Sequence, residues 1–149
     1  MSPLISETNT SFKWFILATA TFVTMLYAMN VTIASIALSD MRGAMGATQD
    51  QISWVVTGNI VATAIFTPFA GWLSSRIQIR TILFFSVIGF IISSIFCGMS
   101  DSLEEIVIAR IAQGIFGAPL PPLSQTLVLA VFPKRQISVA MAVWGMGTI

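Results

Sequence analysis

The chain contains no histidine, one cysteine and one tyrosine. The missing histidine removes imidazole acid–base chemistry and most zinc sites, and a single cysteine removes any intrachain disulfide. Charge is scarce as well. Seven Lys or Arg and six Asp or Glu make up 9% of 149 residues, against roughly 25% in a soluble domain. With 56% apolar residues and a mean hydropathy of +0.89, a soluble fold could not cover its surface. The class is an integral membrane protein. A net charge of +1 argues against nucleic acid as a partner, because such binders work by neutralising phosphates. Paired acids and activated nucleophiles are absent too, so neither an enzyme nor a cofactor or metal is expected.

What is present is long apolar runs bounded by charges. Residues 14–39, 51–75, 81–100 and 106–133 each hold at least 20 positions, and only the last contains a charge, Arg110. Each can cross a hydrocarbon core of about 30 Å at about 1.5 Å per residue. Membrane β-strands would be roughly 10 residues with strict alternation, which these runs lack. The expected fold is all-α: a tail at 1–12, then spans near 14–38, 51–74, 81–100 and 104–132, and the start of a fifth at 137–149. Short connections predict sequential antiparallel neighbours in one bundle over 13–149. The chain thus reads as an N-terminal piece of a larger bundle. Lys13, Arg76, Arg80, Lys134 and Arg135 fall on one side and Arg42 on the other. By the positive-inside rule the N-terminus is cytoplasmic, in a multi-pass cell (inner) membrane protein. Ala18 and Ala20 imitate a cleavage site, but too few apolar residues precede them for a signal peptide.

Polar residues inside a span carry the functional interest. A cation such as Arg110 costs about 2.5–3.5 kcal/mol mid-span on translocon scales. Gln113, Gly114, Gly117, Pro121 and Ser124 share its helix face. A cation, an amide and then small residues suit a water-filled path flanked by close packing. The plainer reading is that Arg110 snorkels outward to Glu104 or the headgroups. Gly114 and Ala118 form a small-xxx-small pair, and Pro119, Pro121 and Pro122 predict a bend. In the first span Thr21, Thr24, Thr32, Ser35 and Ser39 form a stripe suited to helix packing. Asn30 and Tyr27 lie on another face, and Asn30 needs a partner. Asn59, Thr63 and Thr67 form a mild stripe that could face a cavity or a helix. Trp54 and Trp72 mark the ends of the second span, and Cys97 reads as a small buried apolar residue. Gly71 would allow close packing, while Arg76 and Arg80 could meet helix carbonyls or anionic lipid.

Several of these residues resemble the major facilitator superfamily. The loop from Gly71 to Arg80 resembles its G-x-L-a-D-r-x-G-r-k pattern, matched at Gly71, Leu73, Arg76 and Arg80. Arg110, Gln113 and Gly114 match its R-x-x-Q-G pattern. Val31 to Leu38 is similar to the D-x-T-I-v-n-v-A-L-P motif of fourteen-helix drug:proton antiporters of EmrB/QacA type, the EmrB-like branch being nearer. The resemblance implies proton-driven export of hydrophobic or amphipathic small molecules by alternating access, with lipid and protons as partners. EmrB-like pumps also use a periplasmic adaptor protein. Arg110, Gln113, Asn30 and Asn59 become the candidate proton or substrate pathway. Gly114, Gly117, Ala118 and Pro121 become packing and bending positions, and Gly71, Arg76 and Arg80 a gating loop.

Departures matter. Asn30 stands where the pattern has Asp, and an amide cannot carry a proton near neutral pH. Ser75 replaces the loop acid, Gln78 its second glycine, and Ser39 the proline closing the first span. No Asp or Glu lies inside a span, so a coupling carboxylate is expected beyond residue 149. The alternatives are a membrane fragment or interaction module that transports nothing, and a small four-helix exporter. Asn30 speaks against the latter, which relies on a first-span carboxylate.

Overall fold

The computed structural model describes residues 10–45 and 48–147. Among them the chain forms six helices: α1 (Thr10–Met45), α2 (Gln49–Ser74), α3 (Ile79–Met99), α4 (Leu103–Gly117), α5 (Leu120–Val131) and α6 (Ile137–Met146). Four segments are long and apolar enough to cross a membrane: Ser11–Ala34, Asp50–Ser74, Ile79–Met99 and Leu103–Val131, the last built from α4 and α5 together. The shorter α6 is apolar as well. Large apolar side chains stand outward on these helices, among them Ile36, 70% exposed, and Met99, 73% exposed. In water each would forfeit roughly 25 cal/mol per Å² of apolar surface; in lipid they are in their proper solvent.

Helix ends follow local chemistry. Thr48 opens α2 with a reciprocal capping box: its Oγ1 accepts from the Gln51 N–H, and Gln51 Oε1 accepts from the Thr48 N–H at 3.0 Å. Ser102 caps α4 by accepting from the Glu105 N–H. α1 runs past the charged residues at 40 and 42, through the Ser39 position, to Met45. Charges fix where a chain leaves hydrocarbon, not where its hydrogen-bond ladder stops. At the other end, residues 10–12, expected in the tail, form the first turn of α1. The rest of that tail, residues 1–9, and residues 148–149 of the fifth run lie outside the described residues.

The fourth span is divided at Ala118–Pro119. Both keep right-handed helical angles (φ −52°, ψ −42° and φ −72°, ψ −21°), so the chain continues without turning back. Pro119, Pro121 and Pro122 lack the N–H groups that would have paired with the carbonyls of Ile115, Gly117 and Ala118. Pro119 is the N-cap of α5 and Pro121 lies in its first turn, where a missing N–H breaks no intrahelical bond. The interruption therefore centres two residues before Pro121, the position singled out in the sequence.

α4 packs most extensively on α2 and α3, and α1 lies against α5 and α6. One buried apolar cluster joins Leu17 and Ala20 of α1 to Val128 and Val131 of α5, Phe132 just beyond it and Ala140 of α6. A second joins Ile52 and Val55 of α2 to Ile106 of α4, with half-buried Cys97 packed against it. These clusters flank the middle of α4, where the polar residues collect.

Candidate functional site

Arg110 projects from α4 into the bundle. Its Nη1 donates to Asn30 Oδ1 of α1 at 2.9 Å and to Gln113 Oε1 at 2.8 Å. Gln113, 1% exposed, passes the chain on: its Nε2 donates to Ser94 Oγ of α3 at 2.7 Å, and Ser94 donates to the Phe90 carbonyl at 2.8 Å. The order is forced by chemistry. A guanidinium only donates, so both amides must turn their oxygens toward it. The Gln113 NH2 then points away and finds the hydroxyl of α3.

Two further bonds tie α2 to the α4 backbone. Asn59 Nδ2 donates to the Arg110 carbonyl at 2.9 Å, and Thr63 Oγ1 to the Gly114 carbonyl at 3.4 Å. The Asn59 stripe thus faces α4, while Thr67 closes back on the Thr63 carbonyl. A void of about 10 Å³ beside Asn59, Val55 and Arg110 is at the threshold for one water. The Arg110 Nε is buried without a hydrogen-bond partner among the described residues. The guanidinium bonds inward to amides and not to Glu104, which argues against outward snorkelling. No carboxylate pairs with it among the described residues.

Small residues let these helices meet. A Cβ on Gly114 would lie 2.5 Å from the Asn59 carbonyl oxygen and 3.0 Å from the Ala62 Cβ. A Cβ on Gly117 would lie 2.7 Å from the Tyr27 ring, which sits 6.0 Å from Phe90. Ala118 is 1% exposed. Among the first-span hydroxyls, Thr24 and Thr32 return to carbonyls one turn back, while Thr21 packs against Gly147 with its hydroxyl unpaired. The side chains of Ser35 and Ser39 lie outside the described residues.

The loop after α2 is separate from this network. Arg76 lies over the Trp72 ring, 5.3 Å from its centroid, and Trp72 stacks on Phe69 at 5.4 Å. Gly71 meets nothing within 4 Å of an added Cβ. Among the described residues it therefore packs against no neighbour and stands on an exposed part of α2. Arg80 is exposed near the start of α3. Sequence reasoning missed Ser94, the far end of the hydrogen-bond string. Adjacent Ser93 and Ser94 in an otherwise apolar span were the available signal. Ser93, buried, bonds back to the Gly89 carbonyl.

Comparisons with known proteins point to one family. A family model described as Major Facilitator Superfamily matches residues 20–149. The chain is 40% identical over 126 residues to the multidrug export protein EmrB of Escherichia coli (strain K12), covering 85% of this chain and 25% of that one. It is 34% identical over 136 residues to the probable multidrug resistance protein EmrY of the same strain, covering 91% and 27%. It is 36% identical over 121 residues to the fatty acid resistance protein FarB of Neisseria gonorrhoeae, covering 81% and 24%. The chain spans about a quarter of the length of these relatives.

Proposed function

The chain belongs to the Major Facilitator Superfamily, and from that premise we propose that it is the first part of a proton-driven exporter of hydrophobic or amphipathic compounds. The observation that carries this is the half-buried Arg110, held by Asn30 and Gln113 across two helices with no carboxylate beside it among the described residues. A fixed cation inside an apolar bundle is costly, and its retention marks a transport path. In this reading Arg110 and Gln113 border the proton or substrate path, and Asn30 and Asn59 orient them. Gly114, Gly117 and Ala118 set the helix spacing. Gly71, Arg76 and Arg80 form the gating loop, whose open glycine face receives another part of the longer protein as the transporter changes state. EmrB and EmrY are named for multidrug export and resistance, which supports the same substrate range here. The protein sits in the inner membrane with its N-terminus and the Arg76–Arg80 loop in the cytoplasm, as the basic residues favour, and hands substrate to a periplasmic adaptor.

The test is Arg110→Ala in the intact protein, read as dye export from cells, with membrane content measured in parallel. Export is expected to fall to the level of cells lacking the protein while insertion is unchanged. Normal export by the variant would refute the assignment.

A further inference from the structure

Gln113 holds Arg110 only while its amide keeps one orientation. With its oxygen turned to the guanidinium, its Nε2 must donate elsewhere. The side chain is 1% exposed, so that donor has no access to bulk water. Its acceptor is Ser94 Oγ on α3, at 2.7 Å.

Ser94 is set for this task by its own helix. Its O–H donates to the Phe90 carbonyl, one turn back in α3, at 2.8 Å. A hydroxyl has one proton and two lone pairs, so the bond to Phe90 leaves it an acceptor toward α4. An amide nitrogen has no lone pair to offer, and the polarity of the string from Arg110 to the α3 backbone is therefore fixed. Without the Ser94 hydroxyl, a buried donor would be stranded. Stranding such a group costs more than the bond itself contributed. The Gln113 amide can escape that cost only by turning, and turning carries its oxygen away from Arg110. The guanidinium would then keep Asn30 as its acceptor in the string. We propose that Ser94 is a positioning residue of the transport path: acting through Gln113, it fixes the Arg110 guanidinium. Its effect on export rests on the reading of Arg110 given above; the positioning itself does not.

The test combines two measurements on the intact protein. Arginine-selective 15N labelling gives side-chain resonances in micelles, and loss of one signal in Arg110→Ala identifies Arg110. Ser94→Ala should displace that resonance. Ser94→Thr, which keeps the oxygen, should restore it, and Ser93→Ala, which removes the neighbouring hydroxyl bonded back to Gly89, should leave it in place. In a Gln113→Leu background Ser94→Ala should displace it no further, an outcome that a general loosening of α3 would not give. Dye export from cells should fall roughly fivefold in Ser94→Ala, the factor one such hydrogen bond carries, and recover in Ser94→Thr. An Arg110 resonance unmoved by Ser94→Ala would overturn the proposal, as would an equal displacement by Ser93→Ala or a further displacement in the Gln113→Leu background. A displaced resonance with parental export would instead leave Ser94 positioning Arg110 and refute the role of Arg110 in export.

Discussion

Gly114→Ala is expected to destabilise the bundle, whereas Gly98→Ala is not, although both add one methyl to a membrane helix. In isolation either change favours the helix by up to about 1 kcal/mol. At Gly114 the new Cβ would stand 2.5 Å from the Asn59 carbonyl oxygen and 3.0 Å from the Ala62 Cβ. The first obstacle is backbone and cannot rotate away, so α2 and α4 must part. Overpacking of this kind costs about 1–3 kcal/mol. A separation of roughly 0.5–1 Å also forfeits a quarter to a half of the dispersion energy in the affected contacts. The Asn59–Arg110 bond at 2.9 Å would stretch, and the Thr63–Gly114 bond, already 3.4 Å, would pass beyond hydrogen-bond range. Each such interhelical bond contributes roughly 0.6 kcal/mol in a membrane bundle. The sum leaves Gly114→Ala about 1–3 kcal/mol less stable.

Gly98 meets nothing within 4 Å of an added Cβ, so Gly98→Ala should be neutral or stabilising by up to about 1 kcal/mol. Gly89→Ala falls between them, because its obstacle is the ring of Phe116, which is 40% exposed and able to swing aside. Titration of the purified protein with sodium dodecyl sulfate in mixed micelles, followed by circular dichroism, measures all three. A Gly114→Ala protein as stable as the parent, or a Gly98→Ala loss of equal size, would refute the packing argument.

Two further substitutions probe the polar network. Asn30→Asp places a carboxylate at the atom that now accepts from Arg110, so export should acquire a different pH dependence; an identical pH profile of dye efflux would remove Asn30 from the proton path. Gln113→Leu leaves Ser94 Oγ without its donor and Arg110 with one acceptor, and should destabilise the same detergent titration by about 1–3 kcal/mol, with reduced export; a loss below about 0.5 kcal/mol would show that the string is not cooperative.

Much of this was legible in the sequence, for identifiable reasons. Hydrophobic length is a strong signal because unpaired backbone polar groups are intolerable in lipid, so the four membrane-length segments follow from where the charges stop. Arg110 was conspicuous because a mid-span cation is rare. Its partners were only half legible. Gln113 shares its helix face, but Asn30 comes from eighty residues away, and nothing in a linear sequence says that α1 meets α4 at that level. Ser94 gave only a weak signal, because serine is common in membrane helices and usually bonds its own backbone, as Ser93 does. Gly71 was not legible in the same way: a glycine before a loop looks the same whether it meets a helix or, as among the described residues, open space.

The network constrains how the bundle can move in the proposed cycle. α4 is tied to α1 through Asn30, to α2 through Asn59 and to α3 through Ser94. Separating α4 from α1 would strip a half-buried guanidinium of one of its two acceptors, which is costly for a charge held away from water. In that proposed cycle the four spans are expected to turn together against the remainder of the longer protein. Local bending is available at the Ala118–Pro119 break and at Pro68 inside α2, where helical donors are missing and no bond of the string is at stake.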